Sequence, residues 1–378
     1  MINTESAKWD EEMLKFSEYL QESVSTVKKD VFLRYMSKVY DKGDERLIKR
    51  YLDTAAVIQV EDIIKATFAE KLPKAESGAD KTLTNKIVSL GLRGPDQVNL
   101  ANAILSGSAY DIPSMLKAAR KSPVKIDSFV GSVAGAKELL PWYVDWRAKA
   151  DASTRGTAAS EIWLISAGKN GRTPSKGDAI VNGVAVESKS SNGGFDGEFS
   201  ISGKQSSFKE PTAKFKSGLS AVFKKHKISV EESEYGLGSA RKSNSLNGKD
   251  GKSMIESLQR TVDVLVEAKV SLKSIDSILG GLVVDSFPSA KGLSFSVLNG
   301  NKIDAQAFMT LWNAAAFAEY KAEEGFDVML MIDRKASLAL TFYEPKDILD
   351  VSSRLKHKNI SYEVGIGQNK SIGGFGFK

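Results

Sequence analysis

The sequence predicts an α/β fold, in which a mixed β-sheet is flanked by helices, preceded by a separate all-helical N-terminal domain. Three observations carry this prediction. Apolar residues recur at helical spacing through residues 1–150, "GDAIVNGVAVESK" (177–189) has the pattern of a β-hairpin, and "FDVMLMID" (326–333) is an almost wholly apolar run. Helical segments separate these strands, so we expect two domains, residues 1–150 and residues 151–378.

The N-terminal domain has no recognisable chemical motif and no repeat. Its apolar residues recur at helical spacing in two segments, namely Trp9, Met13, Phe16 and Leu20, then Val57, Val60, Ile63, Ile64 and Phe68. We interpret residues 1–150 as a helical domain for recognition or assembly. If the protein forms a homodimer or a larger assembly, we expect this domain to supply the contacts between subunits.

Composition excludes several classes of protein. The 378 residues include no Cys, which excludes thiolate nucleophiles, zinc–thiolate sites and disulfides and fits a reducing compartment. The N-terminus is polar, and no apolar run approaches the roughly 18 residues of a membrane span, so we expect a soluble, cytoplasmic or intracellular protein without membrane contact. The net charge of +6 favours a polyanionic partner such as nucleic acid.

The hairpin pattern places charged residues together. Asn182-Gly183 is a strong signal for a two-residue type I′ turn, which would pair Asp178 with Glu187 across the two strands. Side chains alternate along a strand, so Lys189 should lie on the same face as Glu187. Two facing carboxylates repel each other, and a divalent cation between them would relieve that repulsion. The alternative is a surface hairpin whose charged face is simply solvated.

The remaining segments predict the elements around the hairpin. A helix over "STRGTAASEIWLISAGKNG" ends at Gly168 or Gly171, and residues 190–253, rich in Ser, Gly and Lys, form a long insertion of loops and short excursions. Within the insertion, residues 214–227 could form an amphipathic helix with Phe215, Leu219 and Phe223 inward. Further helices are predicted at 254–279, 304–325 and 346–355, and further strands at 336–344 and 360–367, before a Gly-rich tail.

These residues resemble the PD-(D/E)XK nuclease superfamily, to which many restriction endonucleases belong. That family has a helix carrying a Glu, a hairpin carrying an Asp and then Glu-X-Lys, and a helix leading into another strand. Here Glu161 lies on the preceding helix, Asp178 begins the hairpin, and "ESK" supplies Glu187 and Lys189. The resemblance covers residues 151–345. It departs from the family at Gly177, where the family name has Pro, and in the length of the insertion.

The resemblance implies a restriction endonuclease-like fold and a Mg²⁺-dependent DNA endonuclease, with Mn²⁺ as an alternative cation. Asp178, Glu187 and the backbone carbonyl of Ser188 would bind the metal, and Glu161 would bind it directly or through water. Lys189 would orient or deprotonate the attacking water and stabilise charge on the phosphate. Asp196 and Glu198 are nearby acids that could replace one ligand.

A second function fits the same sequence. The nuclease-like domain could bind DNA without cleaving it, as a structural or DNA-packaging component of a phage particle, in which case the protein would be virion-associated. Other sites are disfavoured. "NGKDGKS" (247–253) lacks the first Gly of a phosphate-binding loop. His226 and His357 lie in basic runs, so we expect them to be solvent-exposed or to contact phosphate.

Overall fold

The computed structural model describes residues 26–28, 57–59, 79–146, 160–173, 177–191, 199–203, 209–229, 252–357 and 370–377. The chain forms two compact units, one of Met1–Lys117 with Lys125–Val184 and one of Ala118–Val124 with Ala185–Lys378. Residues 147–159 lie outside the described residues, so the predicted domain division at residue 150 stays a prediction. The predicted helical faces at Trp9–Leu20 and Val60–Phe68 also lie outside them.

The first unit is built mainly from short helices. In chain order its elements are β1 (Thr26–Lys28), β2 (Val57–Gln59), α1 (Ala79–Val88), α2 (Gly94–Ser106), α3 (Ile112–Ala118), β3 (Val124–Lys125), α4 (Ala136–Asp145), α5 (Glu161–Ala167) and β4 (Ala179–Val181). One residue of α3 and one of β3 belong to the second unit. Strands β1 and β2 pair antiparallel, with Val27 opposite Ile58. These strands lie within the predicted helical domain, and Val57, the first residue of a predicted helical face, is in β2. The helical character of residues 1–150 as a whole stays a prediction.

Local signals explain where helix α2 begins and ends. Pro95 stands in its first turn, where a missing backbone N–H costs nothing, and Gly107 closes the helix in the left-handed conformation with φ of 71°. The core of this unit is aromatic and aliphatic. Tyr110 donates a hydrogen bond to the Ala136 carbonyl at 2.9 Å, and its ring meets that of Trp163 edge to face at 6.0 Å. Burial of the phenol raises the pKa of Tyr110.

The second unit contains the longer helices and most of the strands. Its elements are β5 (Val184–Ser191, whose first residue belongs to the first unit), β6 (Phe199–Gly203), α6 (Lys209–Lys225), α7 (Lys252–Glu267), α8 (Leu272–Ser286), β7 (Leu298–Asn299), β8 (Lys302–Ile303), α9 (Ala305–Glu324), β9 (Val328–Asp333), β10 (Leu338–Phe342), α10 (Pro345–Asp350), β11 (Leu355–His357) and β12 (Lys370–Phe377).

The main sheet is mixed, which confirms the predicted α/β class. Its five strands lie in the order β3-β10-β9-β5-β4, with β5 parallel to β9 and β9 antiparallel to β10. All six residues of β9 are buried, as the apolar run predicted, and β10 is the predicted neighbouring strand. The central strands are therefore covered on both faces.

Helix α9 covers one face of this sheet and has the predicted bounds. Asp304 caps its start by accepting a hydrogen bond from the Ala307 N–H at 3.0 Å, and Gly325 ends it with φ of 66°. Its buried residues, including Leu311 and Trp312, pack in one core with Met329 and Met331 of β9. Helix α9, the last helix before β9, thus packs in one core with the strand that follows it.

Four regions differ from their predictions. The single helix predicted at 254–279 is interrupted at residues 268–271 and forms the two helices α7 and α8. The helix predicted at 346–355 ends at Asp350, and residue 355 already belongs to β11. The insertion at 190–253 is not only loops, because α6 has 17 residues there and buries Phe215, Leu219 and Phe223 as its amphipathic pattern suggested. The Gly-rich tail forms β12, the central strand of a second sheet of order β11-β12-β6. Small residues suit this strand because Asn313 of α9 approaches its backbone at Gly373. The strand predicted at 360–367 lies outside the described residues.

Within the described ranges, no helix combines the length and the apolar composition needed to cross a bilayer.

Candidate functional site

The hairpin turn at residues 182–183 has the predicted local geometry. Asn182 and Gly183 both have positive φ, 49° and 82°, as a type I′ turn requires. Strand β4 ends at Val181 and β5 begins at Val184, so the loop has two residues. Asp178 immediately precedes β4 and is half-buried.

Strand β5 carries the Glu-X-Lys segment into the interior of the second unit. Glu187 is 4% exposed and Ser188 is 5% exposed, whereas Lys189 is half-buried. In the parallel pairing, Glu187 stands opposite Met329 and Lys189 opposite Met331, both core residues beside α9. Glu187 and Lys189 therefore lie on the face that α9 covers. The alternative of a solvated surface hairpin is wrong for this strand, because the carboxylate is buried.

Glu187 and Lys189 form an ion pair. The Lys189 ammonium Nζ donates to Glu187 Oε1 at 2.5 Å, with 25% of the lysine side chain and 5% of the glutamate side chain exposed. The predicted placement of the two residues on one face is confirmed by this contact. A buried carboxylate is stable only when charge and hydrogen bonds replace its lost hydration, and Lys189 supplies both.

Tyr320 completes this cluster, and the sequence reasoning missed it. Its phenol, carried by α9, donates a hydrogen bond to Glu187 Oε1 and accepts one from Lys189 Nζ at 3.2 Å. The Lys189 ammonium also lies 5.5 Å from the centroid of the Tyr320 ring. A signal did exist, because a tyrosine on the buried face of a helix usually has a polar partner for its hydroxyl.

The two bonds to Glu187 leave its second oxygen unengaged by these partners. Lys189 and Tyr320 both bind Oε1, so Oε2 takes part in neither contact. A carboxylate has about four lone-pair sites in all, so an ion or a water can still bind at Oε2. The cluster thus binds one oxygen of the carboxylate and leaves the other outside these two bonds.

The other predicted site residues belong to the first unit. Glu161 is the first residue of α5 and is half-buried, and Asp178 precedes β4. A carboxylate in the first turn of a helix also interacts favourably with the helix dipole, a structural role that Glu161 can have without any metal. The sharing of one cation by Asp178 and Glu187 stays a prediction. Asp196 and Glu198 lie outside the described residues.

The donor atoms of the cluster suit magnesium chemically. Among the residues that the structure describes, no group of three or more His, Cys, Asp or Glu side chains is arranged to hold a metal ion. Mg²⁺ does not need such a cage, since it is usually held by one or two carboxylates together with waters and substrate phosphates. Glu187 Oε2 would be an oxygen ligand of this kind, and the backbone carbonyl of the buried Ser188 is the second that the resemblance implies.

His357 is not the exposed residue that its basic surroundings suggested. It is half-buried, and its Nε2 bonds to Thr310 Oγ1 at 2.9 Å while Nδ1 bonds to Asn313 Nδ2 at 2.8 Å. Asn313 Oδ1 accepts from the Gly374 N–H at 2.9 Å, so its amide group must donate to Nδ1. The imidazole proton is therefore on Nε2, and this histidine fastens β11 and β12 to α9.

Comparison with known proteins adds no relative. No family model matches the chain, and none of the curated proteins or solved structures matches it.

Proposed function

We propose that this protein is a Mg²⁺-dependent DNA endonuclease whose catalytic cluster includes Glu187 and Lys189. The observation that carries the proposal is their buried ion pair on β5. This strand runs parallel to β9, and β9 directly follows helix α9 in the chain. This arrangement supports the PD-(D/E)XK resemblance, in which a Glu-X-Lys strand is followed by a helix that leads into another strand. Nearly buried charges are costly for stability alone, which supports a chemical role for them.

The proposed roles follow from the atoms that each residue presents. Bound Mg²⁺ would polarise a phosphoryl oxygen and lower the pKa of the attacking water. Glu187 Oε2 is the ligand from β5, and Asp178, Glu161 and the Ser188 carbonyl are the further ligands of the proposal. Lys189 holds its ammonium at the same cluster, where it stabilises the charge that develops on the phosphate. The water oxygen bonds to phosphorus, the bond to the leaving oxygen breaks, and that oxygen takes up a proton.

DNA as the substrate is supported by charge. The chain carries a net charge of +6, and Lys224, Lys225 and Lys227 are exposed at the end of α6 and just beyond it. Lysines at a surface bind phosphates without reading sequence, and their contribution falls as salt concentration rises. This favours a polyanion as partner and makes binding sensitive to ionic strength.

A plasmid assay tests the proposed function. Purified full-length protein is incubated with supercoiled plasmid and Mg²⁺ or Mn²⁺, with and without EDTA, and the nicked and linear products are quantified. We expect cleavage with either cation and none with EDTA. A wild-type protein that leaves the plasmid intact with both cations over a range of concentrations would contradict the proposal.

One observation favours the second candidate, a DNA-binding scaffold without turnover. The charge of Glu187 is already balanced by Lys189, so this part of the cluster holds together without a cation. The same samples distinguish the candidates when DNA binding is measured in parallel by electrophoretic mobility. Binding that does not depend on Mg²⁺, with no cleavage, would support the scaffold.

A further inference from the structure

We propose that Tyr320 is a positioning residue that fixes the orientation in which the Glu187 carboxylate is offered to a cation. The proposal rests on the proposed function, because it names the residue that sets up the metal ligand of that site. Tyr320 does not touch the substrate in this proposal. It acts through Glu187 and Lys189, with which it makes hydrogen bonds.

The Tyr320 hydroxyl is held in place by its surroundings. The residue is 5% exposed on α9, and its ring meets that of Phe326 edge to face at 5.4 Å. A buried ring in such contacts has little freedom, so the position of its hydroxyl is set by the packing of the helix on the sheet. The hydroxyl therefore provides a fixed hydrogen-bond partner for Glu187 and Lys189 of β5.

Three bonds close a small ring of polar contacts. Tyr320 donates to Glu187 Oε1, Lys189 donates to the same oxygen at 2.5 Å, and Lys189 also donates to the Tyr320 oxygen at 3.2 Å. Without the phenol, a single bond from Lys189 would hold the carboxylate, and the plane of the carboxylate could then turn about that bond. With the phenol, Oε1 is committed, and Oε2 is the oxygen left for a cation.

The test uses full-length protein with Tyr320→Phe, which removes the hydroxyl and keeps the ring. Tyr343→Phe is the matched control, because Tyr343 is a half-buried tyrosine of the same unit whose ring lies under Arg120 at 5.3 Å. Mn²⁺ binding is measured by electron paramagnetic resonance of the free ion, beside plasmid cleavage and thermal unfolding. Loss of a group that orients a metal ligand typically weakens metal binding by about 10- to 100-fold.

We expect Tyr320→Phe to weaken Mn²⁺ binding by about 10-fold or more and to lower kcat, while KM for DNA stays unchanged. Tyr343→Phe should match wild type in both. Replacing Tyr320 with 4-aminophenylalanine, which restores a hydrogen-bond donor on the ring, should recover Mn²⁺ binding. This third protein also decides the question if the phenylalanine variant does not fold.

The outcomes separate the two proposals. Wild-type Mn²⁺ binding in Tyr320→Phe would overturn the role of Tyr320 and leave the nuclease proposal standing. Mn²⁺ binding without any cleavage by wild type would overturn the nuclease function, and the binding arm would still decide the role of Tyr320. A wild type that neither binds Mn²⁺ nor cleaves would overturn both.

Discussion

Lys189 Nζ lies 2.5 Å from Glu187 Oε1, on one face of β5 and beneath helix α9. The lysine is 25% exposed while the glutamate is almost fully buried, so the pair has one end toward solvent. An ammonium at such a boundary can contact a phosphate at the surface and still keep its ion pair with the buried carboxylate. The relationship therefore has consequences for both activity and stability.

Replacing Lys189 with Ala should abolish cleavage and also weaken the fold. In this variant the buried Glu187 keeps the Tyr320 hydroxyl but loses the Lys189 ammonium. We expect this loss to lower the free energy of unfolding by about 1–3 kcal/mol. Plasmid cleavage and urea unfolding measure the two effects. Lys335→Ala is the control, because Lys335 is exposed in the turn after β9 and should change neither by a measurable amount. Cleavage by Lys189→Ala at the wild-type rate would place the chemistry elsewhere in the chain.

Replacing Glu187 with Gln should separate metal binding from folding. The amide oxygen can still accept from Tyr320 and Lys189, but the negative charge is gone, so we expect a smaller loss of stability than in Lys189→Ala. A cation that binds only the folded state raises its stability by about 2.7 kcal/mol at 100 times its dissociation constant. Mg²⁺ should therefore raise the melting temperature of wild type and not that of Glu187→Gln. An equal rise in both proteins would exclude Glu187 as a ligand.

Local sequence signals were sufficient for much of the fold. The cap at Asp304, the end at Gly325 and the apolar run of β9 each predicted an element that the structure contains. The Asn182-Gly183 turn likewise predicted the local geometry before β5. These signals act within a few residues of one another, so no knowledge of the tertiary structure is needed to interpret them.

What the sequence did not predict depends on contacts between distant residues. Tyr320 is 133 positions from Glu187, and no local pattern pairs them. His357 was expected to be exposed because of its lysine neighbours, but its environment is set by Thr310 and Asn313 of α9. The Gly-rich tail forms a strand by pairing with β6 and β11, which are distant in sequence, and no property of the tail itself reveals these partners.

The lowered pKa of Lys321 predicts that this residue makes the free energy of unfolding rise with pH in the alkaline range. Lys321 Nζ donates to the Asp327 carbonyl at 2.7 Å and to the Tyr343 carbonyl at 2.5 Å, and desolvation is the main cause that lowers its pKa. The unfolded chain keeps this proton up to about pH 10.4, whereas the folded protein loses it at lower pH. The cost of partly desolvating the Lys321 charge is therefore present below the folded pKa and is relieved as pH rises toward the unfolded value.

Comparison with Lys321→Met isolates this effect from the tyrosines that also titrate at alkaline pH. The difference in unfolding free energy between wild type and Lys321→Met should move in favour of wild type as pH rises from 8 toward about 10.4, because only wild type carries the buried charge. Urea unfolding at several pH values measures this difference, and Lys335→Met, at an exposed position, should show no such trend. A difference that is constant with pH would mean that Lys321 titrates alike in both states.

Replacing Gly373 with Ala should destabilise the second unit through a steric clash. A Cβ at this position would lie 2.5 Å from Asn313 Oδ1 and 3.3 Å from the Cβ of Ala316, both on the buried side of α9. Asn313 cannot turn away without losing its bonds to the Gly374 N–H and to His357. Overpacking of this kind costs about 1–3 kcal/mol, which urea unfolding can measure.

Gly281→Ala is the matched control for this substitution. Gly281 lies within α8, and a Cβ there would meet no atom within 4 Å, so alanine should stabilise the helix by about 0.5–1 kcal/mol. The two glycine-to-alanine changes in one unit should thus have opposite signs, although they reduce the entropy of the unfolded chain in the same way. If Gly373→Ala were as stable as Gly281→Ala, β12 could not pack against Asn313 at the observed distance. Asn313 would then have to be able to move away from residue 373, and its bonds to His357 and to the Gly374 N–H would not hold it in place.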